Sequence, residues 1–130
     1  MVCDYKDFAE YILRYYPKVR IVEIGIGADF RVFKELKRRN ADIKAVDISP
    51  SSGDVIRDDV LSPDMDLYAG SGLIYSVRPP PELIQYIAEI TRRVGADLII
   101  RPLSTDNVPA NGKLKNYKSA MFYMVMQRQE

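Results

Sequence analysis

The sequence contains no histidine and no tryptophan, and its one cysteine is Cys3. Without histidine there can be no Ser-His-Asp or Cys-His nucleophile, no imidazole proton shuttle and no histidine-ligated metal site. A lone cysteine rules out an internal disulfide and any thiolate cluster for zinc or iron–sulfur. Cys3 reads as an ordinary thiol near a terminus. Acid–base chemistry falls to Asp, Glu, Lys or Tyr, and the metal chemistry left open is a carboxylate-held magnesium, with no particular metal site expected. Net charge is also scarce: nineteen Lys plus Arg against eighteen Asp plus Glu leave +1, so no bulk field recruits nucleic acid or an anionic membrane. No apolar run approaches the roughly 18 residues of a membrane helix, and no secretory leader opens the chain. It reads as soluble and cytoplasmic. What is present suffices for one domain, residues 1–130, with 47% hydrophobic and 28% charged residues able to bury a core.

Short β-branched runs alternate with helical periodicities. Phe8, Ile12 and Tyr16 stripe a first helix that Asp4 can cap and Pro17 stops. Arg20 to Ile24 predicts a strand, Asp29 caps a helix carrying Val32, Phe33 and Leu36, and Ile43 to Val46 predicts a second strand. The basic Lys37-Arg38-Arg39 cluster reads as a solvated last helical turn complementing the dipole. Val55 to Arg57 and Leu73 to Val77 follow as strands, then a helix from Pro81 to Val94 closed by Gly95. Leu98 to Ile100 is a further strand, Ser104 to Lys113 a polar loop, and Ala120 to Met126 a last strand. The pattern predicts an α/β fold: three layers, truncated Rossmann-like, with a mostly parallel sheet of about five to six strands and few helices. Only Ile48 to Asp54 separates the second strand from the third, too short for a crossover helix. One sheet face should be thinly covered, and a homodimer covering it is an expectation.

Glu23-Ile24-Gly25-Ile26-Gly27 ends the first strand, and Asp47 ends the second, twenty residues after Gly27. This is the layout of a nucleotide site: glycines let the backbone bend close to a ligand, and an acid beyond the second strand accepts ribose hydroxyls. A plainer reading is a glycine turn beside a solvated Asp47. A dinucleotide would rest its pyrophosphate on the helix N-terminus, where Asp29 places a carboxylate of its own, and Phe30 stands where a third glycine would be. S-adenosylmethionine carries no phosphate, and Glu23 suits its cationic amine. The residues therefore favour S-adenosylmethionine, with NAD or another nucleotide as the alternative.

These stretches resemble a family. Val22-Glu23-Ile24-Gly25-Ile26-Gly27 looks like the first motif of class I S-adenosylmethionine-dependent methyltransferases, and Ala45-Val46-Asp47 resembles their ribose-binding motif. Asp59-Val60 is placed like the acid that holds the adenine amino group in that family. The whole chain, most distinctively Leu73 to Leu83, resembles a family of short archaeal proteins of unassigned function with a trimmed methyltransferase-like fold. The resemblance implies an S-adenosylmethionine-binding protein with Glu23, Gly25, Gly27, Asp47 and Asp59 at the cofactor. Asp29 stands where the first motif has its third glycine, and Arg78-Pro79-Pro80 is not the Asn/Asp-Pro-Pro-aromatic motif of amino-methylating enzymes, so no catalytic residue carries over. A non-enzymatic nucleotide- or partner-binding module is the reading from another class.

Two strands leave the sheet through the same dipeptide, Arg78-Pro79 and Arg101-Pro102. Neighbouring strands lie about 5 Å apart, so two guanidinium groups there would form a forked receptor for an anionic substrate. The competing expectation is internal pairing with Asp47, Asp58 or Asp59. Lys113, Lys115, Lys118 and Arg128 make the last quarter mildly basic, which leaves a nucleic-acid contact open but reads more simply as solvated charge.

Overall fold

The computed structural model describes residues 4–102 and 108–127; Cys3, Arg128 and Ser104 to Asn107 of the expected loop lie outside the described residues. Seven strands form one sheet in the order β3-β2-β1-β4-β5-β7-β6. They are β1 (Arg20–Ile24), β2 (Asp42–Asp47), β3 (Val55–Arg57), β4 (Ser71–Val77), β5 (Asp97–Arg101), β6 (Lys113–Tyr117) and β7 (Ala120–Val125). The first five are mutually parallel, β7 runs antiparallel to β5, and β6 closes the edge antiparallel to β7. The helices are α1 (Asp4–Tyr15), α2 (Arg31–Arg38) and α3 (Ile84–Val94).

Alternation along each strand builds two cores. Ile21, Ile43, Leu73, Tyr75 and Ile99 face α1 and α2, while Val22, Ile24, Val46, Ile74, Leu98 and Ile100 face α3. Strands buried on both faces read as unbroken apolar runs, which is why β1, β4 and β5 are legible in the sequence. α3 begins with a 3-10 turn at Pro81–Leu83 and ends at Gly95, whose φ of 75° no side chain favours.

Two expectations need correction. The sheet has seven strands rather than five or six, because β6 starts at Lys113 where a loop was expected to end. Lys113-Leu114-Lys115-Asn116 is exposed throughout, and pairing with β7 alone makes it a strand. Asp29 is not the cap residue of α2; Phe30 holds that position, and Asp29 accepts the N–H of Arg31 through its carboxylate.

The short Ile48–Asp54 connector carries no helix. A hollow of about 730 Å³ opens beside α2, lined by Phe30, Phe33, Lys34, Lys37, Ile43 and Ser52. The coverage of that face is thin where the sequence places the gap.

Phe8 is the centre of the α1 side, fully buried with its ring edge-on to Tyr75 at 5.5 Å and to Phe122 at 5.3 Å. Phe8→Ala is expected to cost about 3–5 kcal/mol, read as a lowered urea midpoint. A loss below 1 kcal/mol would show that α1 is not docked as described.

Candidate functional site

In a parallel sheet whose strand order reverses between β1 and β4, the crevice beyond the carboxyl ends is the natural ligand position. Here that edge is built from short ties between strand ends. The Gly25 N–H donates to the Val46 carbonyl at 2.8 Å, and the Asp58 N–H to the Asp47 carbonyl at 3.1 Å. Gly25 and Gly27 have φ of 74° and 59°, so the chain bends through the left-handed region at both glycines. The bend aims the Gly27 N–H at Asp47, whose Oδ2 accepts it at 2.8 Å. Asp47 Oδ1 accepts the Ser49 N–H at 2.9 Å, and the Ser51 hydroxyl donates to the Gly27 carbonyl at 2.8 Å. The glycine bend and the distant acid therefore meet. Each carboxylate oxygen has two lone pairs, so both Asp47 oxygens retain accepting capacity.

The neighbouring acids are used differently. Asp58 is committed to structure, accepting the hydroxyl of fully buried Tyr68 at 2.5 Å and the Asp64 N–H at 2.9 Å. Asp59 is half-buried and accepts the Leu61 N–H at 2.9 Å in a local turn. Ile48, one residue beyond Asp47, is 57% exposed, a large apolar group left open at the crevice. Sequence reading missed Ile48 because it sits among turn-forming residues; the available signal was an apolar residue directly after the strand-ending acid.

On the α1 side the edge opens into a cleft of about 560 Å³ lined by Tyr5, Glu23, Asp29, Arg31, Arg78 and Arg101, among others. Glu23 is 2% exposed and accepts the Tyr75 hydroxyl at 2.6 Å. Burial raises its pKa from the ordinary 4.5 to about 8, although the Tyr75 bond opposes the shift. Asp29 is moved the other way, to about 2, chiefly by its hydrogen bonds from the Arg31 side chain. Arg31 grips it with two parallel bonds of 2.9 Å, and Arg78 adds a longer one of 3.3 Å.

The two Arg-Pro exits are side by side but not alike. Arg101 is 16% exposed at its side chain, donates to Asp4 at 2.7 Å and lies over the Phe8 ring at 5.1 Å, while its buried Nε has no partner among the described residues. Arg78 is half exposed and has a φ of 53°, its N–H donating to the Arg101 carbonyl at 2.5 Å. A left-handed residue other than glycine costs about 1–3 kcal/mol. The following Pro79 restricts the position further. The acids that meet the two arginines are Asp29 and Asp4, not Asp47, Asp58 or Asp59.

Because the folded chain holds the Glu23 proton up to about pH 8 and an unfolded chain releases it near the ordinary carboxylate value, stability must fall as pH rises between the two. The native protein is expected to lose up to about 1.4 kcal/mol per pH unit between pH 5 and 8 relative to Glu23→Gln. Parallel stability profiles for the two proteins would contradict this protonation state.

The sequence profile of the uncharacterised protein family UPF0146 matches residues 5–127. A UPF0146 protein of Archaeoglobus fulgidus is 41% identical over 123 residues, covering 92% of each chain. Among solved structures, Escherichia coli yhhF, a candidate methyltransferase, superposes with a TM-score of 0.62 at 14% identity over 98% of this chain and 88% of its own. CalS10, the amino pentose methyltransferase of Micromonospora echinaspora solved with SAM bound, gives 0.55 at 12% identity over 96% of this chain and 63% of its own. At these identities the structural likeness establishes the fold, which is that of the Rossmann-like methyltransferases. With the sequence match running almost end to end, the chain belongs to the uncharacterised protein family UPF0146.

Proposed function

We propose that this protein binds S-adenosylmethionine across the carboxyl ends of β1 to β4 and acts as a small methyltransferase-like protein. The observation that carries the reading is the bond between the Gly27 N–H and Asp47 Oδ2, in a fold shared with the methyltransferases. Its free lone pairs would take the ribose hydroxyls, Gly25 and Gly27 would let the ligand approach the backbone, and Ile48 would support the adenine face. Asp59 would accept from the adenine amino group. Glu23, on the other side of the bend, would meet the cationic amine. The cofactor would supply the transferable methyl group, and the chain's own contribution would be positioning. A dinucleotide fits less well, because the Asp29 carboxylate already accepts the first N–H of α2 where a pyrophosphate would rest. A second reading, a module that binds without transfer, draws support from the same acid: both Asp47 oxygens already hold amides of the chain itself.

Thermal melts with S-adenosylmethionine, S-adenosylhomocysteine, NAD and ATP separate an adenosyl ligand from a dinucleotide or other phosphate-bearing one. Either adenosyl ligand at a hundred times its dissociation constant is expected to add about 2.7 kcal/mol, and Asp47→Asn to lose most of the gain. Stabilisation by NAD or ATP alone would replace the reading, and stabilisation by none would remove it.

The protonation of Glu23 gives an independent check. A cationic amine favours the ionised carboxylate, so binding must expel the proton held up to about pH 8. Affinity for S-adenosylmethionine is expected to rise about tenfold from pH 6 to pH 7 in the native protein and to stay flat in Glu23→Gln. A pH-independent affinity in the native protein would place the amine elsewhere.

A further inference from the structure

We propose that Arg78 is the receptor for an oxyanion, a carboxylate or phosphate group, on the substrate entering the 560 Å³ cleft, and that its left-handed backbone serves to aim it there. That the oxyanion belongs to a methyl acceptor rests on the cofactor reading above; the receptor itself does not.

Of the three arginines lining the cleft, two are occupied. Arg31 engages both oxygens of Asp29, through Nε on one and Nη2 on the other, and also donates its backbone N–H to Oδ1. Arg101 is clamped between the Asp4 carboxylate and the face of Phe8. Arg78 is the surplus cation. Among the described residues, its one side-chain bond is the 3.3 Å contact to an Asp29 oxygen that Arg31 already holds more closely. Among the described residues, the remaining N–H donors of its guanidinium have no partner.

A guanidinium presents a planar fork matched to two oxygens of a carboxylate or phosphate. Charge agrees with this. Among the described residues, Arg31, Arg78 and Arg101 face Asp4 and Asp29, while the third acid, Glu23, keeps its proton to about pH 8, so these groups together carry positive charge at neutrality.

The backbone supplies the second line of evidence. A purely structural arginine at a strand end needs no left-handed conformation, least of all before a proline. Here the left-handed turn accompanies the Arg78 N–H donating to the Arg101 carbonyl, which ties the ends of β4 and β5 together, and the Arg78 side chain lines the cleft. Strained residues that the surroundings hold in place cluster at ligand-contacting positions.

The test uses ligand-free protein in sodium chloride, sodium phosphate and sodium acetate at equal ionic strength. Phosphate raises melting temperatures in general through exclusion from protein surfaces, so the quantity read is the difference between native protein and Arg78→Asn. Asparagine tolerates left-handed backbone, so the variant should melt within a few degrees of native protein in chloride. Native protein is expected to gain several degrees more than the variant in phosphate or in acetate, and whichever salt gives the gain identifies the anion class. Equal gains in native and variant would overturn the proposal. A titration of 15N-labelled native protein with inorganic phosphate reads the same site without mutation. The Arg78 Nε–H resonance should shift saturably, while that of Arg92, paired with Glu89 on α3, should not; equal shifts at both would overturn the assignment. S-adenosylmethionine is absent throughout, so loss of the anion effect leaves the cofactor reading standing, and failure of the cofactor melts leaves the receptor standing.

Discussion

One hydrogen bond organises the carboxyl edge of this protein: the Gly27 N–H on Asp47 Oδ2. It joins the loop after β1 to the last residue of β2, and it forms because two glycines allow the backbone to turn its amide toward the acid. Around it the connector after β2 folds back, with the Ser49 amide on the other Asp47 oxygen and the Ser51 hydroxyl on the Gly27 carbonyl. These bonds fasten the helix-free connector after β2 to the glycine bend after β1.

The two sides of the bend differ in character. Toward β3 lie Asp47 and Asp59, two hydrogen-bond acceptors, and the exposed apolar Ile48. Toward α1 lie the buried Glu23 and three arginines in a compensated but still positive cleft. Burial sets the chemistry of Glu23 in particular. Its desolvation outweighs the Tyr75 bond, so a group written as a charge in the sequence is a neutral acid in the folded protein at neutral pH. Asp29, gripped by Arg31, moves in the opposite direction. Two carboxylates on one cleft are thus shifted apart, one by burial and the other by its arginine partner.

Much of this was legible in the residues. β-branched runs at β1, β2, β4 and β5 marked the parallel core, and the spacing from Gly27 to Asp47 marked their meeting at its edge. The short Ile48–Asp54 connector announced the missing helix. What escaped was set by tertiary partners. β6 has no apolar alternation and is a strand because β7 pairs with it. Asp4 on α1 finds Arg101 on β5 across 97 residues, and Tyr75 finds its strand neighbour Glu23 across 52, pairings that no local pattern specifies. The strain at Arg78 is equally invisible in the sequence, since Arg-Pro at the end of β5 carries no positive φ.

If the Gly25–Gly27 bend and Asp47 form one face of an adenosyl site, a bound adenosyl ligand must perturb their amides directly. The most direct test is a titration of 15N-labelled protein with S-adenosylhomocysteine, following the backbone amides of Gly25, Gly27 and Ser49. These three resonances should move together and saturate at a single dissociation constant. If they stay fixed, or if the residues that respond are instead those beside the hollow between α2 and β2, such as Lys34 and Ile43, the crevice described here is not where the ligand sits.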